Sequence, residues 1–363
     1  MKRKHQNVVL AVGIVLTVTG AALLFWPGGP HLYRTTILPV LPGHRMSPRA
    51  LNDRGQVVGL TMTGAGAWHL FVWDRQNGAQ DLGPAGLDDC DINNRGQVLG
   101  MGSKAGVPCP FVRDPNGTVR FLDIPGGEPC QARAINDRGQ VVGSFQAPPR
   151  YTTHAFIWSR SEGLQDLGRA LNRSSAATAV SETGTVFGFY EYSEGMRHYR
   201  KPVYWNPDDP FDTAGIETPS NDFFDMNDKG WIVGRHTFMK DGPHVVLWNA
   251  YGGIQKLFPY DPPLGIFGQA SDWLVNDVNQ VVYTEEYHSR WEKYSARLFP
   301  PRHDCTLWDP VHGRIALKRY LPSQTQRFEV RDLNNRGGIL GIAHLKGGRL
   351  QLPVLLEPIA ERL

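Results

Sequence analysis

The chain has 363 residues, with 38 basic and 35 acidic side chains, a formal charge of +3, and 40 glycines, 27 prolines and 10 tryptophans. That content of turn formers and large aromatics excludes a disordered chain and a helical bundle. Lys2, Arg3 and Lys4 stand apart at the amino terminus and leave 35 basic against 35 acidic groups in the remainder. Without a basic stripe to neutralise phosphates, neither nucleic acid nor anionic lipid is expected as a main partner.

Residues 1–7 read as a basic cytoplasmic leader. Residues 8–26 are 19 positions without a charge, roughly 28 Å as a helix and so about the thickness of a bilayer's hydrocarbon core. This predicts a transmembrane signal anchor over 8–26. No small-residue cleavage pattern precedes Pro27. A cleaved signal peptide is the alternative, and both place the rest of the chain outside the cytoplasm, because the positive end of the span stays inside. Residues 27–34 read as a linker.

From residue 35 one pattern recurs. Ala50-Leu51-Asn52-Asp53-Arg54-Gly55-Gln56-Val57-Val58-Gly59 returns as Asp91-Ile92-Asn93-Asn94-Arg95-Gly96-Gln97-Val98-Leu99-Gly100 and as Ala134-Ile135-Asn136-Asp137-Arg138-Gly139-Gln140-Val141-Val142-Gly143. Weaker copies stand at Ser181-Glu182-Thr183-Gly184, Asn227-Asp228-Lys229-Gly230, Asn276-Asp277-Val278-Asn279 and Asn334-Asn335-Arg336-Gly337. The leading positions are 41, 43, 45, 46, 49 and 58 residues apart, a period that belongs to propeller blades. Each copy continues with an aromatic and β-branched run, such as Leu70-Phe71-Val72-Trp73 or Ala155-Phe156-Ile157-Trp158, and then a short segment such as Gln165-Asp166-Leu167. Four strands per copy follow, with Asn-Asp-Arg-Gly as hairpin chemistry between the first two. Residues 35–363 are therefore expected to form a seven-bladed β-propeller of four-stranded antiparallel blades, all-β and monomeric. The last copy ends before its fourth strand, and residues 35–40 precede the first copy with no blade of their own. Pairing of 35–40 with 352–356 would close the ring and remove an open sheet edge.

His154-Ala155-Phe156-Ile157-Trp158, following the decapeptide of the third copy, resembles the HAF repeats of bacterial extracellular proteins. The resemblance covers nearly all of residues 35–358. It implies a secreted or surface-displayed repeat domain and carries over no catalytic residue. Only the third copy has the strict His-Ala-Phe signature, and Arg113 and Leu356 stand where other copies have Trp.

The repeated Asn, Asp and Trp occur in every blade and read as scaffold: turn formers at the hairpins and core between blades. Function is expected where copies differ. The stretches after Val-Val-Gly and before the next Asn vary most and emerge on one face. They grow to residues 189–201 in the fourth copy and 284–303 in the sixth. Candidate ligand contacts on this variable-loop face are Tyr151, Tyr192, Arg197, His198, Tyr199, His236, Tyr260, His288, Trp291 and Tyr294. Aromatics interleaved with Arg and His suit stacking on sugars or anchoring peptides. The expectation is a binding module for a glycan, peptide or envelope protein, with no cofactor and no metal.

The alternative is a glycoside hydrolase or polysaccharide lyase using carboxylates of the same face. Asp88, Asp89, Glu128, Asp272, Glu285 and Glu286 could supply the acid pair, and His198, His236, His288 and His303 could assist. Nothing in the sequence fixes which pair. Among four cysteines one disulfide at most is expected, Cys109 with Cys130 first and Cys90 with Cys130 second.

Overall fold

The computed structural model describes residues 16–18, 21–24, 33–39, 45–87, 89–124, 130–147, 152–171, 173–194, 197–206, 213–215, 222–249, 253–259, 273–287, 302–347 and 350–359. Seven antiparallel sheets follow the seven copies. Blade 1 holds Arg45–Leu51, Val57–Met62, Trp68–Asp74 and Gly78–Pro84 from axis to rim. Blade 2 holds Asp91–Ile92, Val98–Lys104, Val107–Arg113 and Val119–Phe121. Blade 3 holds Cys130–Ile135, Val141–Ala147, Thr152–Ser159 and Gly163–Asp166. Blade 4 holds Ser175–Val180, Val186–Glu194, Arg197–Trp205 and Thr213–Gly215. Blade 5 holds Asp222–Met226, Ile232–Phe238, Gly242–Asn249 and Gly253–Pro259. Blade 6 holds Trp273–Val275, Val281–Tyr287, Arg302–Asp309 and Gly313–Ala316. Blade 7 holds Thr325–Leu333, Ile339–Leu345 and Gln351–Pro358, completed by Tyr33–Ile37.

That last strand closes the ring. Thr35 pairs with Leu356 and Ile37 with Val354, and the Leu38 amide donates to the Pro353 carbonyl at 2.9 Å. The core is divided into one apolar layer per blade interface. Leu51, Val57, Phe71 and Trp73 pack on Leu340 and Leu355 between blades 1 and 7, and Leu99 and Val112 pack on Phe156 and Trp158 between blades 2 and 3. At roughly 1.5–3 kcal/mol for each large apolar side chain removed from water, these layers supply the main drive for stacking the blades. The strand tryptophans are core, as their period-2 positions require: Trp73, Trp158 and Trp205 are buried and Trp248 and Trp308 pack on the same layers.

Two glycines of the decapeptide have separate reasons. Gly139 lies at φ 76°, the left-handed position of the hairpin turn, and Asn279 takes the same conformation in blade 6 at φ 60°. Gly143 is excluded from any substitution by proximity: a Cβ there would lie 2.0 Å from the Gln131 carbonyl oxygen. The approach is close because the inner strand bulges, its register skipping one residue between Ala132 and Ala134. The same skip occurs in blades 1, 4, 5 and 7.

The structure departs from three expectations. Within 8–26, Leu16–Val18 and Ala21–Leu24 are strands, forming a hairpin whose second strand pairs Leu23 with Thr36. An apolar run without a period takes the partner at hand, and here the exposed edge of the closing strand offers unpaired N–H and C=O groups. No helix among the described residues is long and apolar enough to cross a membrane; the leader and most of the linker lie outside the described residues. The expected fourth-copy loop 189–201 is an extended hairpin, with Tyr192 opposite Tyr199 and Glu194 opposite Arg197. Its alternation of aromatic and charged residues is itself a strand pattern. None of the four cysteines is disulfide-bonded. Cys90 packs in the layer between blades 1 and 2 and Cys130 against the layer between blades 2 and 3, while the Cys109 thiol turns to the Leu122 carbonyl at 3.2 Å. Opposite sides of blade 2 cannot be bridged without moving the backbone.

Candidate functional site

The hairpin ends of the inner strands are consumed by a polar girdle. Each leading Asn accepts backbone N–H groups of its own turn: Asn93 Oδ1 takes Arg95 N at 3.1 Å and Gln97 N at 2.9 Å. Its amide nitrogen then reaches the next blade and donates to the Asn136 carbonyl at 2.8 Å. The same latch runs Asn227 to Asn276, Asn276 to Asn334, Asn334 to Asn52, Asn52 to Asn93 and Asn136 to Ser181. Ser181 has no amide to pass the chain on to Asn227, so the girdle is open between blades 4 and 5. A second tier lies one residue on, where side-chain oxygens of Asn94, Asp137, Glu182, Asn335 and Asp53 accept the amide of the preceding blade. The Asn and Asp of the repeat are thus inter-blade latches as well as turn formers, which the sequence reading of a turn alone had missed. Burial together with Asp277 holds the Asp228 carboxyl well above its ordinary range, because neighbouring acids crowd this end of the axis.

At the next-to-last residue of their inner strands, two residues before the leading position, Asp91, Asp225 and Asp332 face the next blade. Their carboxylates accept Ile135 N at 2.8 Å, Val275 N at 3.0 Å and Leu51 N at 2.5 Å. Burial raises all three. Asp225 is pushed up to about 6 and Asp332 to about 8, the latter also by the charge of Asp91. Sequence reasoning overlooked these acids. Comparing the copies would have found them, since Ala50, Ala134 and Ala179 occupy the same position elsewhere.

On the variable-loop face, Tyr192 and His236 of the expected contacts are described with their side chains, both partly exposed. Tyr192 lies 6.3 Å from the Tyr190 ring, with the Lys201 ammonium 5.0 Å from its centroid. His236 stands directly opposite His244 across the blade 5 hairpin and meets the Phe238 ring edge-on at 4.4 Å, with its Nδ1 buried. Burial and the nearby Lys256 charge lower its pKa. Arg197, His198 and Tyr199 belong to the third strand of blade 4, where Tyr199 stands opposite Tyr192 in the register. Tyr151, Tyr260, His288, Trp291 and Tyr294 lie outside the described residues. Of the carboxylates considered for catalysis, Asp89 is held in an ion pair with Arg133. Asp88, Glu128 and Asp272 lie outside the described residues, and Glu285 and Glu286 are placed only as strand positions. No cluster of metal-ligating side chains occurs among the described residues. A groove of about 160 Å³ between blades 3 and 4, lined by Gln140, Ser159, Glu162, Gln165 and Trp205, is below the roughly 300–1,000 Å³ of small-molecule sites.

The histidine of the repeat signature has a structural partner. His154 Nδ1 lies 2.9 Å from the Asp166 carboxylate on the outer strand, and His69 Nδ1 lies 2.8 Å from Asp81 at the equivalent place in blade 1. Each pair ties the third strand to the fourth. Asp166→Ala is expected to cost about 1 kcal/mol, the net worth of one such hydrogen bond, read as a shift in urea midpoint at constant slope; a wild-type midpoint would remove the pair from the stability of the blade.

No family model matches the chain, and no curated protein matches it. Solved structures do. The β-propeller domain of the Trilobed protease from Pyrococcus furiosus, described as having an open velcro topology, aligns at TM-score 0.57 and 10% identity, covering 89% of this chain and all of that one. Puromycin hydrolase aligns at TM-score 0.56 and 12% identity over 86% of this chain, and Pyrococcus horikoshii acylaminoacyl peptidase at 0.54 and 9% over 82%. The chain spans about half the length of those two enzymes, 51% and 49%. At such identities the likeness establishes one thing, that this chain folds as a β-propeller.

Proposed function

We propose that the chain is a membrane-tethered, extracytoplasmic propeller of the HAF-repeat type that binds a glycan, peptide or envelope protein through its variable-loop face and does no chemistry of its own. The observation that carries this reading is the division of polar residues between the two ends of the axis. At the hairpin end the Asn and Asp side chains are spent on latches repeated from blade to blade. At the other end stand aromatic and charged groups peculiar to single copies, such as Tyr190 and Tyr192 beside Lys201 and Arg173, and His236 with Phe238. Tethering is supported by the uncharged run 8–26 behind its basic leader.

A reporter active only outside the cytoplasm, fused after residue 363, is expected to be active and to stay with membranes after carbonate washing. Cytoplasmic activity or quantitative release would overturn the tether. For binding, the full chain is screened against glycan, peptide and envelope-protein libraries, and Tyr192→Ala is expected to weaken capture about tenfold with an unchanged melting temperature. Ligand mapping to the hairpin turns, or turnover of a captured glycan into new reducing or unsaturated ends, would overturn the non-catalytic assignment.

A further inference from the structure

One level of the axis, three residues before each leading position, is occupied from blade 7 round to blade 6 by Arg331, Arg49, Cys90, Arg133, Thr178, Phe224 and Trp273. In blades 1, 3, 4, 5 and 7 this residue is the extra one of the inner-strand bulge, and a bulge re-aims its side chain out of the ladder. The level has two sides. Blades 7, 1 and 3 bring guanidinium groups, whereas Trp273 is buried in the layer between blades 5 and 6 and Phe224 lies between it, stacked at 5.2 Å and 18°, and the Arg235 guanidinium, 5.5 Å from the Phe224 centroid.

Its charges are unequally matched. Arg133 is paired with Asp89, and Arg331 lies 2.5 Å from Glu329. Arg49 has neither a hydrogen bond nor an ion pair among the described residues, and the Nε groups of both Arg49 and Arg331 are buried without an acceptor. The neighbouring Asp91 and Asp332 are already engaged by two backbone N–H groups each, and burial favours their neutral form. Leaving a buried N–H unmet costs about 1–3 kcal/mol. The fold does not demand that cost, because the other copies fill the same position with Cys, Thr, Phe and Trp.

Building on the binding reading above, we infer that this level of the axis takes the carboxylate of an acidic sugar, with Arg49 and Arg331 as donors. Guanidinium groups suit a carboxylate because their planar donors match its two oxygens. The test is calorimetry on the full chain with galacturonate, trigalacturonate and methyl-esterified trigalacturonate, which keeps the rings and removes the charge. The acid is expected to bind at least tenfold more tightly than the ester. Arg49→Met is expected to lose at least tenfold while the melting temperature holds or rises, and Arg54→Met, exposed at the hairpin end, to bind as the parent does. A trimer tighter than the monomer places the carboxylate on a polymer, and equal affinity places it on a free sugar acid; both keep the contact. Equal binding of acid and ester, parental affinity in Arg49→Met, or no binding of either acid would overturn the inference. If the ester binds and Tyr192→Ala weakens it while Arg49→Met does not, the binding face stands and only the carboxylate site falls.

Discussion

Asn93→Ala is expected to lower the free energy of unfolding by about 3–5 kcal/mol. The side chain is 5% exposed and makes four hydrogen bonds: two as donor, to the Asn136 carbonyl and Gln97 Oε1, and two as acceptor, from the Arg95 and Gln97 amides. Each bond contributes about 0.5–1.5 kcal/mol net, and a buried group stripped of its partner costs about 1–3 kcal/mol, so truncation strikes one turn and one blade interface together. Arg54→Ala, at an exposed turn position, is expected to stay within about 0.5 kcal/mol of the parent. The reverse experiment is available at the open interface. Ser181→Asn supplies the missing amide and is expected to add about 1 kcal/mol by reaching the Asn227 carbonyl. Urea titrations at constant slope read all three. An Asn93→Ala midpoint within 1 kcal/mol of the parent would mean that the girdle follows from blade packing and does not hold it.

Stability is expected to fall as pH rises from about 4 to about 8, with Asp332 as the main cause. Its carboxyl is pushed up to about 8 in the folded chain, first by burial and then by the charge of Asp91, against the pull of the Leu51 and Leu333 amides. In the unfolded chain the same group titrates near 3.9. Between those values the folded state holds a proton that the unfolded state has released, so each rise in pH favours unfolding, by up to about 1.4 kcal/mol per pH unit. Both acids are partly exposed, and solvent screening makes the slope shallower. Below about 4 both states are protonated and above about 8 both are ionised, so the group stops contributing to the slope at either end. Asp225, pushed up to about 6, adds a smaller fall over the lower part of the same window. Asp332→Asn keeps one acceptor oxygen and loses the charge, so it is expected to flatten the profile and to be more stable than the parent at pH 8. Urea midpoints across pH 4.5–8.5 decide the matter, and a parental slope in Asp332→Asn would sink the assignment.

What could be read from the chain alone follows from local chemistry repeated many times. The Asn-Asp-Arg-Gly turns, the Phe-x-Trp strands and the spacing in the forties each encode a short-range event, and seven repetitions gave the blade number and the strand missing from blade 7. Turn conformation and strand pairing with the next segment depend on residues a few positions apart, which a sequence displays directly. The hairpin over 189–201 is legible too, in the alternation from Phe189 to Tyr192.

Tertiary structure decided what lies between blades. That Asn93 donates to a carbonyl 43 residues away, that Ser181 interrupts the girdle and that Asp332 meets Leu51 across the closure are consequences of stacking around an axis. The same holds for Arg49 and Arg331 in neighbouring blades, whose Nε groups are left without an acceptor. The thiols Cys90 and Cys130, close in repeat position, were separated by the thickness of a blade. The run 16–24 found an edge strand as its partner. In each case the outcome depends on which surfaces the ring brings face to face, and no window of neighbouring residues carries that information.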